Sequence, residues 1–230
     1  MSQITNLAYF YERSRKVRGG RAVWVKDSNG ESRKNVLLGG TILNPNKDFG
    51  HLWAAQLVQY TPAEGCLIFR SFEVSDAALE SAKTIKIKGD GFSDAPEVGM
   101  YIMIAPDNVA TAGNYAKITA VEYDAENAKF NVTLASALGT ALSGGEILVE
   151  ADAAADAEHT GKATVLVPNP NTFIEADVDL FPTEGYGLDG TANYSISTVH
   201  DKEAWIVKMQ PLPKYVLAKN RSYIKGIFWI

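Results

Sequence analysis

Internal disulfide chemistry is absent from this sequence, because it holds a single cysteine, Cys66. One thiol makes no intramolecular bridge, and no Cys/His set has zinc-ligand spacing. The chain therefore reads as folding in a reducing compartment without cross-links or metal. Histidine is nearly as scarce. His51 lies in the turn Phe49-Gly-His-Leu-Trp53, His159 in a polar stretch and His200 beside Asp201, far apart along the chain. With no G-x-S-x-G or catalytic-cysteine signature, they assemble into no nucleophilic triad. Cys66 precedes Leu67-Ile-Phe69 and reads as a buried, inert thiol. The glycines form no phosphate cradle, and Gly19-Gly20 and Gly39-Gly40 read as bends. The carboxylates of Glu175-Ala-Asp-Val-Asp179 lack the glycine and bidentate glutamate of an EF-hand loop. The expectation is a protein that is not an enzyme, with no catalytic, cofactor-binding or metal-binding residues.

Long apolar runs are missing as well. No segment approaches the roughly 20 apolar residues of a membrane span. The N-terminal stretch carries Arg13, Arg15, Lys16 and Arg18 with no apolar region after them, so no secretory signal is expected. Helical periodicity is rare too, the best candidate being a short turn at Ser75–Ala82 with Ser75 as its cap.

What the chain does contain is short runs of Val, Ile, Thr and aromatic residues bounded by Gly, Pro, Asn or Asp, which predict strands. They fall at Ala22–Lys26, Asn35–Ile42, Leu52–Tyr60, Leu67–Phe72, Thr84–Ile87 and Tyr101–Ala105. More follow at Ala116–Tyr123, Lys129–Leu134, Glu146–Val149, Thr164–Val167, Ala192–Val199, Ala204–Lys208 and Tyr223–Trp229. The pattern predicts a mainly β protein with little helix, built from barrels or sandwiches. Between about residues 72 and 151, Ile85 and Ile87 alternate with lysines, and Asp124-Ala-Glu-Asn127 reads as a hairpin turn. Five or six strands in so short a stretch suggest a small barrel that closes its own edges. The expected layout is a basic arm and the first part of a β-rich body at 1–71 and the barrel at 72–151. A low-complexity linker at 152–161 and the rest of the body at 162–230 complete it.

Charge is divided along the chain more sharply than its net value of −5 suggests. Residues 1–36 hold eight Lys/Arg against three Asp/Glu, and residues 201–230 hold six against two. The middle carries eight against twenty-two. Positive ends suit attachment to an acidic partner while a negative middle stays hydrated. A nucleic-acid tail or plain solvated termini would also collect lysine and arginine. Protein contact is favoured here because Tyr9-Phe-Tyr11 and Val23-Trp-Val25 interleave with the cations. The residues nominated for an interface with a partner or a sister subunit are Arg13, Arg15, Lys16, Arg18, Arg21, Trp24, Arg221, Tyr223, Phe228 and Trp229. An apolar strand that includes the final residues is expected to be tied into a sheet or an interface.

The stretch Phe92–Val149 contains Val98-Gly99, Ala116-Lys-Ile-Thr-Ala-Val121, Asn131-Val-Thr-Leu134 and Ala137-Leu-Gly-Thr-Ala-Leu-Ser-Gly-Gly145, and through these motifs it resembles the small barrel modules of tailed-phage head decoration proteins. Downstream, Val165-Leu-Val-Pro-Asn-Pro-Asn-Thr-Phe173, Asp177-Val-Asp-Leu180 and the ending Leu217–Ile230 are similar to segments of head-fibre and auxiliary capsid proteins, including those of phages of gut bacteria. The resemblance covers about half of the chain and has no catalytic signature. It implies attachment to the outside of a capsid on the virion, assembled in the host cytoplasm. It also implies the major capsid protein as partner, a homo-oligomer with a trimer favoured, and no membrane. The alternative is a carbohydrate or host-surface binding module of a head fibre or tail appendage, with Tyr186 in Gly185-Tyr-Gly187 as a stacking candidate.

Overall fold

The computed structural model describes residues 22–25, 36–40, 42–45, 51–52, 56–61, 65–89, 94–156, 161–173, 178–179, 194–198, 204–207, 210–217 and 227–229. Strands dominate them, as the sequence pattern predicts. The first six are β1 (Ala22–Val25), β2 (Val36–Gly40), β3 (His51–Leu52), β4 (Leu57–Thr61), β5 (Gly65–Ile68) and β6 (Ser71–Glu73). Next come β7 (Thr84–Lys88), β8 (Tyr101–Ile104), β9 (Gly113–Asp124), β10 (Lys129–Leu134) and β11 (Ile147–Asp152). The remainder are β12 (Lys162–Val165), β13 (Thr172–Phe173), β14 (Val178–Asp179), β15 (Tyr194–Thr198), β16 (Ala204–Val207) and β17 (Ile227–Trp229). Helix among the described residues is limited to a 3₁₀ turn at Ala153–Ala155 and one turn at residues 214–217.

The largest sheet runs β12-β11-β8-β9-β10-β7, with β6 also on β11. Its curvature follows from alternation. On β7, Ile85 and Ile87 are buried while Thr84, Lys86 and Lys88 are exposed. On β10, Phe130, Val132 and Leu134 point inward in the same way. Together with Phe72, Ile102, Ile118, Leu138 and Leu148 they fill one core. Full burial of a Phe, Leu or Ile side chain contributes on the order of 1.5–3 kcal/mol, so this interior is enough to hold the curl. The other face of β8 and β11 carries a second core. There Met103, Val149 and Ala151 pack against Leu57, Phe69, Val165, Val167, Tyr215 and Val216. The near-continuous apolar runs of β8 and β11 follow from this, because a strand covered on both faces has no side left for polar residues.

The expected closed barrel needs correction. β6 and β7 meet through one bridge, Val74↔Ile87, in which the Ser75 N–H donates to the Lys86 carbonyl at 2.8 Å. No ladder joins them, so the curled sheet keeps a seam. The physical cause is the path after Val74: residues 75–82 cross to Leu142, where Ala78 exchanges two backbone hydrogen bonds of 2.8 and 3.0 Å. That pairing also replaces the helical turn predicted at Ser75–Ala82. Only Ala82 closes a turn there, donating to the Leu79 carbonyl.

Other differences are extensions. β11 continues through Ala151 and Asp152, beyond the Glu146–Val149 run, because Ala151 is buried and pairs with Val165 of β12. β12 also reaches Gly113 and Asn114 of β9. The predicted hairpin at Asp124–Asn127 is present: Asp124 accepts hydrogen bonds from the backbone N–H groups of Glu126 and Asn127 at 3.1 Å each. Four smaller sheets complete the description, namely β13-β4-β5, β14-β3, β15-β2 and β1-β16-β17.

One glycine is fixed by crowding. An added Cβ at Gly89 would lie 2.8 Å from the Tyr123 ring and 3.1 Å from both the Ala128 carbonyl and the Phe130 ring. The Tyr123 hydroxyl donates to the Gly89 carbonyl, and Tyr123 and Phe130 pack with ring centroids 4.9 Å apart. Replacing Gly89 with Ala is expected to cost about 1–3 kcal/mol, since a well-packed site must shift to admit a methyl group. Urea unfolding should show it as a lower midpoint with an unchanged slope.

Candidate functional site

A buried charge stands, in sequence, between residues of the two cores. Arg70 occupies the two-residue link between β5 and β6, flanked by Phe69 of one core and Phe72 of the other, and is 2% exposed. Its Nε and Nη2 donate to the two carboxylate oxygens of Glu150 on β11, at 3.0 and 2.8 Å. Nη1 donates to Glu97 at 3.2 Å. A fork-on-fork pair of this kind fixes both partners in direction as well as distance. Burial alone would lower the guanidinium pKa, but Glu150, Glu97 and Asp94 outweigh it and hold the group above its already high ordinary value.

Amide side chains extend the node. Asn44 imitates a strand edge: its Nδ2 donates to the Ile68 carbonyl at 2.9 Å and its Oδ1 accepts from the Ile68 N–H at 2.8 Å. The same Nδ2 reaches Glu150 at 3.1 Å. Gln56 donates to Asp94 at 3.1 Å. Gln210 accepts from the Leu57 N–H and donates to the Phe69 carbonyl at 2.9 Å. Residues from positions 44, 56, 70, 94–97, 150 and 210 thus converge on one buried polar junction. Its groups bond to one another or to the backbone of Leu57, Ile68 and Phe69, an arrangement suited to holding segments in register.

The nominated interface residues fall elsewhere. Arg13, Arg15, Lys16, Arg18, Arg21, Arg221 and Tyr223 lie outside the described residues, as does Tyr186. Trp24 is on β1, and Phe228 and Trp229 are on β17. Both strands pair with β16, β1 antiparallel and β17 parallel. Trp24, Trp205 and Phe228 occupy one register row, and Val23, Ile206 and Trp229 the next.

Sequence reasoning passed over Arg70 and Glu150, although a signal was available. Each is a charge of opposite sign embedded in an apolar strand run, Leu67-Ile-Phe-Arg-Ser-Phe72 and Ile147-Leu-Val-Glu-Ala151. A fully buried charge needs a partner, so two such interruptions in one chain nominate each other.

Among the described residues there is no group of three or more His, Cys, Asp or Glu placed to hold a metal ion. Nor is any helix among them long and apolar enough to cross a membrane. Burial pushes the Cys66 thiol up from 9.0 to about 11. No protein-family model, curated protein or solved structure matches this chain.

Two outcomes are expected. Arg70→Met leaves Glu150 buried without its guanidinium and should cost about 3–5 kcal/mol. Adding Glu150→Leu should recover most of that loss, and a double-mutant cycle by urea unfolding measures the coupling. The raised thiol pKa stabilises the fold below about pH 9, and the contribution is lost as pH rises toward 11. Native protein at pH 8 should therefore leave Cys66 unreacted with an aromatic disulfide reagent, and denaturant should release one equivalent.

Proposed function

We propose that this chain is a virion structural protein that binds the outer surface of a tailed-phage capsid and decorates the head. The observation that carries the reading is the pairing of β1 and β17 on the two sides of β16. Residues 1–36, with eight Lys/Arg against three Asp/Glu, contain β1, and residues 201–230, with six against two, contain β16 and β17. The strands that the two cation-rich stretches contribute thereby share a single small sheet. The curled sheet comes instead from the middle of the sequence, where twenty-two Asp/Glu face eight Lys/Arg. Attachment through the terminal sheet, with the curled sheet in solvent, uses both halves of that division.

The likeness of Phe92–Val149 to head decoration proteins supports the same reading. Its motifs occupy the wall of the curled sheet: Ala116–Val121 lies on β9 and Asn131–Leu134 on β10. The partners on this reading are the major capsid protein and sister copies of the chain. A basic attachment surface steers binding electrostatically, so the association should weaken as salt screens it.

The test is co-sedimentation of the purified protein with phage heads that lack it. Full-length protein should bind at low ionic strength and be released progressively toward 1 M salt. Removing residues 1–20 should reduce occupancy about tenfold while circular dichroism of the β-rich fold is retained. Full occupancy by the truncated chain in high salt would refute the attachment, and a glycan-array signal without head binding would favour the host-surface alternative.

A further inference from the structure

The seam of the curled sheet is where backbone hydrogen bonding is thinnest, and side-chain charge collects there. Lys88 of β7 pairs with Glu73 of β6. Lys129 of β10 donates to both oxygens of Asp76, at 2.8 and 3.0 Å, and Lys86 of β7 approaches the same carboxylate at 3.5 Å. Acidic groups thus stand on the β6 side of the gap and basic groups on the β7–β10 side. The backbone contributes one bridge, which includes the bond from Ser75 to Lys86. On the opposite side of β6 the ladder is continuous through Ile147, Leu148 and Val149, and the Val74 N–H extends it to the Glu146 carbonyl at 2.8 Å.

We propose that the β6–β7 seam is an ionic latch, a built-in opening of the curled sheet that strong acid and high salt release before the rest of the sheet loosens. All three bridges are part-exposed, which makes each of them weak and sensitive to screening. They act where the buried side chains of Val74, Ile85 and Ile87 are backed by a single backbone bridge and no ladder, so their loss is felt there first. Elsewhere in the sheet, continuous strand ladders add to the same core and hold the backbone regardless of surface charge.

The direction with pH follows from the groups present. Asp76 is held below its ordinary carboxylate range, chiefly by the hydrogen bond from Lys129. A depressed carboxyl stabilises the closed state above its unfolded value, roughly pH 4, and the contribution is lost as pH falls through the folded value. The neighbouring acids do not replace it. Asp124 is committed to its own hairpin turn, and Glu146 accepts from the Ser143 N–H at 2.9 Å. Glu122 stands in the register row of Asn131 and Lys86, one strand farther from the gap.

Adjacent amides supply the test. The Ser75 N–H spans the seam, whereas the Val74 N–H bonds across the β6–β11 side. Amide exchange resolved by NMR on the full chain, comparing the native sequence with Asp76→Asn/Lys88→Gln, leaves the intrinsic rates of both reporters untouched. The Ser75 amide should exchange on the order of three- to tenfold faster in the variant, with Val74 unchanged. If the variant is too unstable to measure, 1 M salt on the native sequence should produce the same split between the two amides. An unchanged Ser75 rate, or parallel acceleration of Ser75 and Val74, overturns the latch.

Discussion

A guanidinium with no access to water must be answered in full by its neighbours, and the fold is organised around meeting that demand at Arg70. Desolvating an ion costs several kcal/mol even after the surroundings relax, so the site is stable only when its partners arrive together. Glu150 comes from the wall of the curled sheet, Glu97 from the loop before β8, and Asn44 from the segment after β2. Arg70 and Ser71 separate Phe69 of one core from Phe72 of the other, so the ion is held close along the chain to both interiors. A hydrophobic pair in its place would fill the volume without specifying direction. The ionic pair fixes where β11 stands relative to the β5–β6 link.

Electrostatics elsewhere works on a different scale. Buried charge at the junction is few in number and held by close hydrogen bonds, as at Arg70 with Glu150, while surface charge is abundant and loosely paired, as at Lys214 with Asp107. The first kind sets geometry and responds little to ionic strength. The second sets how the molecule meets other bodies and how its seam behaves, and it responds strongly.

Much of the architecture is legible in the sequence because alternation is a backbone property. Lys129–Leu134 is predicted and found with the same limits, and β7, β8, β15 and β16 differ by a residue or two at their ends. Two features escaped for identifiable reasons. β13 and β14, with two residues each, are too short to generate a period. The open seam depends on where residues 75–82 travel, and that is decided by Leu142, more than sixty positions away. Of the candidate site, the composition of the ends was readable, but their meeting on β16 was not. A parallel pairing between Ala204–Val207 and Ile227–Trp229 leaves no mark on either segment. The buried junction was readable in principle from Arg70 and Glu150 as interruptions of apolar runs. The amides that complete it look ordinary, because Asn44 and Gln56 acquire their roles only from tertiary contact.

Strands β8 and β11 belong to both interiors at once: Ile102 and Leu148 face one, Met103 and Val149 the other. Neither interior can therefore melt and leave its neighbour intact, since the departing wall would strip the surviving side chains of their contacts. Heating this region of the molecule should produce one calorimetric peak with matching van't Hoff and calorimetric enthalpies, where two separately packed units would give a pair.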